Sequence, residues 1–139
     1  MGNRGFSASS VVSAGVLSVL TLATFAYSRD RGPESSVRRF HQAIVSRDLK
    51  ELERVTVKDE SDALNYLVQS VDGMIQRSDA VVLDRVEQSG RDAYIDVKYR
   101  FPLNRGIFTL RYVVVLDGRR WKIDARQTLA LREQMNAFS

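Results

Sequence analysis

The sequence predicts an α+β protein: an N-terminal membrane helix, then about three helices packed on a four-stranded antiparallel sheet. Three observations predict it. An uncharged apolar stretch occupies the start of the chain, apolar residues then recur at helical spacing as far as Ser78, and beyond Ser78 the period falls to two. Helices gathered ahead of strands joined by short turns give an antiparallel sheet, not parallel βαβ units.

Residues 1–28 read as a signal-anchor or signal peptide. Gly5 to Ser28 carries no charge, and its apolar centre runs from Val11 to Tyr27. A bilayer needs about 20 apolar residues, so residues 8–27 suffice for a single pass. Val16–Phe25 also has the length of a signal-peptide core, and Ala26-Tyr27-Ser28 resembles a cleavage site, in which case the remainder would be secreted. Arg4 favours an inside N-terminus, whereas Arg29, Arg31, Arg38 and Arg39 crowd the other flank. A charged start before an apolar core is the design of an exported domain, which would place the soluble part on the extracytoplasmic side.

Residues 29–32 form a polar linker, and residues 33–139 form the domain. Pro33 and Glu34 suit the first turn of a helix, and Val37, Phe40, His41 and Ile44 share one face of it. This helix should stop near Ser46–Arg47. Asp48 then reads as an N-cap with Glu51 completing a capping box, for a short helix through Val55. A third helix begins near Asp59 or Ser61 and presents Leu64, Leu67, Val68, Val71, Met74 and Ile75 on one face. Ala80–Gln88 is the first strand, with a turn at Ser89-Gly90. The second buries Ala93, Ile95, Val97, Tyr99 and Phe101. Strand three, Ile107–Leu116, is apolar on nearly both faces and belongs inside the sheet. Asp117-Gly118 signals a two-residue hairpin of type I′. Strand four then alternates Trp121, Ile123 and Ala125 inward with Lys122, Asp124 and Arg126 outward.

Val37-Arg38-Arg39-Phe40 with Ala43-Ile44, then Arg47-Asp48-Leu49, and finally Asp117-Gly118-Arg119-Arg120-Trp121-Lys122-Ile123 resemble short patterns at the first helix and last hairpin of the nuclear transport factor 2-like superfamily. The resemblance spans roughly Pro33 to Leu129. It implies a cone in which helices wrap a curved antiparallel sheet. The superfamily includes isomerases, dehydratases and membrane-anchored bacterial binding or assembly modules, so function has to come from the site.

Composition narrows the chemistry. The chain has no cysteine, which excludes disulfides, thiolate catalysis and zinc–thiolate sites. One histidine and scattered carboxylates offer no metal-ligand spacing, and no cofactor motif is present. Lys98 to Arg132 holds nine basic residues against Asp117 and Asp124. On the outward face of the strands Lys98, Arg100, Arg111, Lys122 and Arg126 form a candidate basic surface, suited to anionic lipid or an envelope protein partner. Asp96 and Asp124 lie among them and offer pairing across strands. No aromatic interleaving or recognisable module accompanies the charge, so no nucleic-acid partner is expected.

His41, Tyr99, Tyr112 and Trp121 are the candidate pocket residues, on the face assigned to the core. Packing alone accounts for them; the functional reading is an apolar cavity with polar tips. The expected function is a membrane-tethered, non-catalytic binding or assembly module. The alternative is a small isomerase or hydro-lyase acting on an apolar substrate in the cone around His41, which would require an orienting partner for that base.

Overall fold

The structure, a computed structural model, describes residues 32–58 and 61–137. The expected membrane span at residues 8–27, and with it the signal peptide and most of the linker, lies outside the described residues. Among the described residues no helix is long and apolar enough to cross a membrane.

Eight elements follow in the order α1 (Glu34–Ser46), α2 (Leu49–Arg54), α3 (Ser61–Arg77), β1 (Ala80–Ser89), β2 (Asp92–Arg100), β3 (Ile107–Asp117), β4 (Arg120–Ile123) and α4 (Ala125–Ala137). The strands form one open antiparallel sheet in sequence order. Helix α1 stops because Arg47 turns left-handed, at φ 59°. The N–H groups of Arg47 and Asp48 then close on the carbonyls of Ile44 and Ala43. Asp48 caps α2 by accepting from the Glu51 N–H at 3.1 Å. The other half of the expected box is not made: the Glu51 carboxylate holds Arg54 at 2.7 Å, and the Asp48 N–H is already spent on Ala43.

One face of the sheet is apolar. Val81, Leu83, Ala93, Ile95, Val97, Tyr99, Leu110, Tyr112, Val114 and Ile123 meet Val37, Phe40 and Ile44 of α1 and Leu67, Val71, Met74 and Ile75 of α3 in a single buried cluster. The alternation expected for β2 and the interior position expected for β3 are both present. β1 carries a bulge between Leu83 and Arg85, and its outer edge bears Asp84, Arg85 and Glu87, charges that discourage pairing with another chain.

The last hairpin and everything after it depart from the sequence reading. Asp117 pairs with Arg120, so the loop is Gly118-Arg119. Gly118 has φ +66° while Arg119 does not have positive φ; only the first loop residue needs the left-handed region, as in a type II′ turn and not the expected type I′. β4 ends at Ile123, and Ala125 and Arg126 are the first residues of a fourth helix. Asp124 is that helix's cap, its carboxylate accepting from the Gln127 N–H at 2.9 Å. Strand four therefore never reaches Ala125.

Because β4 is short, most of β3 would have a bare edge. Helix α4 covers it: the Val113 carbonyl accepts from the Asp124 N–H at 2.8 Å, and the Val113 N–H donates to Thr128 Oγ1 at 2.9 Å. On the outer edge of β4, the Ile123 N–H and C=O bond to the Val55 carbonyl and the Val57 N–H. The chain after α2 thus continues the sheet by one parallel bridge, between Thr56 and Ile123.

Candidate functional site

Three of the four pocket candidates come together. His41 projects from the core face of α1, and Tyr99 and Tyr112 project from β2 and β3 on the same side of the sheet. Tyr99 Oη lies 2.7 Å from His41 Nε2 and 2.6 Å from Tyr112 Oη. His41 Nδ1 lies 2.8 Å from the Val37 carbonyl. A carbonyl only accepts, so Nδ1 carries the proton and Nε2 is left as an acceptor. Tyr99 must then donate to Nε2, and its oxygen receives the proton of Tyr112. The chain runs one way, from Tyr112 through Tyr99 and His41 to Val37, with every polar hydrogen placed.

This network is closed to solvent. His41 is 2% exposed, and Tyr99 and Tyr112 are fully buried. Phe40 packs edge-on to both His41 and Tyr112, with ring centroids at 6.0 and 5.9 Å. Burial lowers the His41 pKa to about 4, against a smaller opposing pull from the Val37 carbonyl. It also raises the pKa of Tyr99, reinforced by the neighbouring Tyr112, and that of Tyr112 itself. All three groups are held neutral. Protonating His41 would force Nε2 to donate to Tyr99 and reverse the chain, leaving the Tyr112 hydroxyl proton without an acceptor in it.

The expected basic sheet face exists in part and is neutralised. Lys98, Arg100, Arg111 and Lys122 do share the side of the sheet away from the core. Each has a carboxylate: Lys98 with Asp84 at 3.4 Å, Arg100 with Asp79 at 2.8 Å and Lys122 with Asp117 at 3.1 Å. Arg111 clasps Asp96 through two bonds of 2.8 and 3.0 Å, which raises its pKa. Arg126 is not on the sheet at all; it is the second residue of α4, and it too has an interaction of its own. Asp124, expected to offset this face, instead caps the helix.

Trp121 stands apart from the tyrosines. It lines a surface cleft of about 320 Å3 with Ser35, Ser36 and Arg39 of α1, Arg54 and Val55 at the end of α2, and Arg119 and Arg120 of the last hairpin. The sequence placed Arg39 beside the apolar segment and Arg119 and Arg120 in the last hairpin, but nothing in it brought them together with Arg54. The sharper signal was the tandem Arg119-Arg120 across a hairpin turn next to Trp121. Among the described residues no group of three or more His, Asp or Glu side chains is placed to hold a metal ion.

No protein-family model matches the chain, and no curated protein or solved structure matches it either.

Proposed function

We propose that this chain is a membrane-tethered, non-catalytic binding module whose binding surface is the arginine-lined cleft beside the start of α1. The observation that carries the reading is the location of that cleft. Ser35 and Ser36 line it, a few residues after the polar linker that follows the apolar segment, so the tether would hold it close to the bilayer. The neutral, enclosed state of His41, with the Phe40 ring packed edge-on against it, favours a structural role for the sole histidine and weighs against the isomerase or hydro-lyase alternative. The order of three helices and four antiparallel strands is also compatible with a nuclear transport factor 2-like domain of the membrane-anchored kind, with α4 following the sheet.

Fractionation of cells expressing the full chain tests the tether. The protein should stay with membranes through an alkaline wash, keep its N-terminus, and lose its folded domain to protease added from the extracytoplasmic side. Intact protein in the soluble fraction would overturn the reading, and a product beginning near Arg29 would replace the anchor by a cleaved signal peptide.

A further inference from the structure

The arginines of the cleft differ from those of the sheet in one physical respect. Arg54 has a carboxylate, Glu51 at 2.7 Å. Among the described residues, Arg39, Arg119 and Arg120 have none, although each is exposed and all three line the same concavity. Asp117, opposite Arg120 in the hairpin, is taken by Lys122, and neither Asp117 nor Glu34 lines the cleft. Three unpaired guanidinium groups around one concavity repel one another and make a positive potential that a single anion would relieve.

The donors present select among anions. Guanidinium forks match the paired oxygens of a phosphate. Backbone amides do not contribute, because the Ser35 and Ser36 N–H groups are already bonded to the Gly32 and Pro33 carbonyls, as are their hydroxyls. The site is therefore built of side chains and owes nothing to the end of α1. Trp121, half-buried, and Val55 supply an apolar wall beside the cations. A charged floor with an aromatic wall suits an oxyanion attached to something apolar. The volume, about 320 Å3, is at the small end of ligand sites.

We propose that this cleft binds the phosphate of an anionic phospholipid headgroup, with Arg39, Arg119 and Arg120 on the phosphate oxygens and Trp121 against the glycerol and first acyl carbons. The supply of that lipid, though not the chemistry of the site, rests on the tether proposed above. Residues 28–32 span at most about 18 Å even when extended, so a domain anchored through residues 8–27 cannot carry the cleft far from the bilayer surface. The tether would supply effective concentration, and the cleft would orient the domain on the membrane.

Trp121 is the only tryptophan in the chain, so intrinsic fluorescence reports on the cleft directly. The full chain in neutral detergent is titrated with short-chain phosphatidylglycerol, with phosphatidylcholine of the same chains, and with inorganic phosphate. The expected result is a saturable shift of Trp121 emission with phosphatidylglycerol, weaker with phosphatidylcholine and weakest with phosphate. Affinity should fall about fivefold for each of Arg39→Gln, Arg119→Gln and Arg120→Gln. Arg100→Gln on the paired sheet face should leave it unchanged. Equal responses to inorganic phosphate and phosphatidylglycerol would overturn the lipid assignment in favour of a free phosphate ion. No response to any probe, or a full response in the Arg119→Gln variant, would overturn the site. Arg119 lies in an exposed turn, so its variant stays interpretable should Arg39→Gln or Arg120→Gln fail to fold. Failure of the tether would appear in fractionation and not in this titration, which is done in detergent.

Discussion

The Tyr99 hydroxyl lies 2.7 Å from Nε2 of His41, a residue 58 positions earlier in the chain, and it is the middle link of the buried hydrogen-bond chain. Removing it leaves His41 Nε2 without its donor and Tyr112 without its 2.6 Å acceptor. The direct Tyr112–His41 separation of 3.4 Å is too long to replace them fully. Tyr99→Phe should therefore cost about 1–3 kcal/mol, and Tyr112→Phe, which removes only the terminal donor, about 0.5–1.5 kcal/mol. Urea unfolding of both variants checks the ranking; equal costs would contradict the one-way chain.

Acid should act through the same histidine. In the unfolded chain His41 titrates near 6.5, whereas burial holds it to about 4 in the fold. As pH falls below 6.5 the unfolded state takes up the proton first, so the stability held by neutral His41 is complete above pH 6.5 and is lost on the way down to about 4. The loss amounts to about 3 kcal/mol. His41→Gln should be less stable than wild type at pH 7.5 and should lack this part of the acid decline. Melting curves collected between pH 7.5 and 4 on both proteins would show parallel declines if His41 titrated alike in the folded and unfolded chain.

The cationic sheet face should divide by burial. Asp96 keeps only 12% of its side chain exposed under Arg111, while Lys98 and Asp84 are each more than 40% exposed. Arg111→Gln strands a nearly buried carboxylate and should cost about 1–3 kcal/mol, whereas Lys98→Gln should stay within about 0.5 kcal/mol. Comparing the two by denaturant unfolding tests whether the Arg111–Asp96 pair is structural.

How far the chain could be read in advance differs by region. Helices α1 and α3 and strand β2 were legible because each keeps its period over nine or more residues, and β3 because it is an apolar run bounded by turn signals. The error after Ile123 has a specific origin. Trp121, Ile123 and Ala125 continue a period of two, and Ala125 is indeed fully buried, but it is buried at the start of a helix. The contrary signal was Asp124 with Gln127 three residues on, a capping pair that also bonds side chain to side chain at 2.7 Å. His41, Tyr99 and Tyr112 could each be placed on a core-facing side. Their contact could not be read, because it depends on the angle at which α1 crosses the sheet. The pairing of the basic face was equally hidden: Asp79 and Asp84 lie outside the alternating runs that defined it, one just before β1 and one at its bulge.

Thr128 offers a further check on α4. Its hydroxyl accepts from the Val113 N–H and donates to the Asp124 carbonyl at 2.7 Å. Thr128→Val keeps the shape and removes the acceptor, which should cost about 1–3 kcal/mol for the orphaned amide. Thr128→Ser should restore most of it. Hydrogen exchange at the Val113 amide should accelerate in the valine variant; unchanged protection there would mean that α4 does not hold the edge of β3.

The way β3 is closed also bears on how the protein is made. The residues that cover its edge, Asp124 to Thr128, are translated after the whole sheet. A chain in which β3 has formed and α4 has not yet docked therefore displays an apolar strand with an open edge, a species that favours pairing between neighbouring chains. A chain cut after Ile123 would expose that edge permanently and should give a lower yield of folded protein.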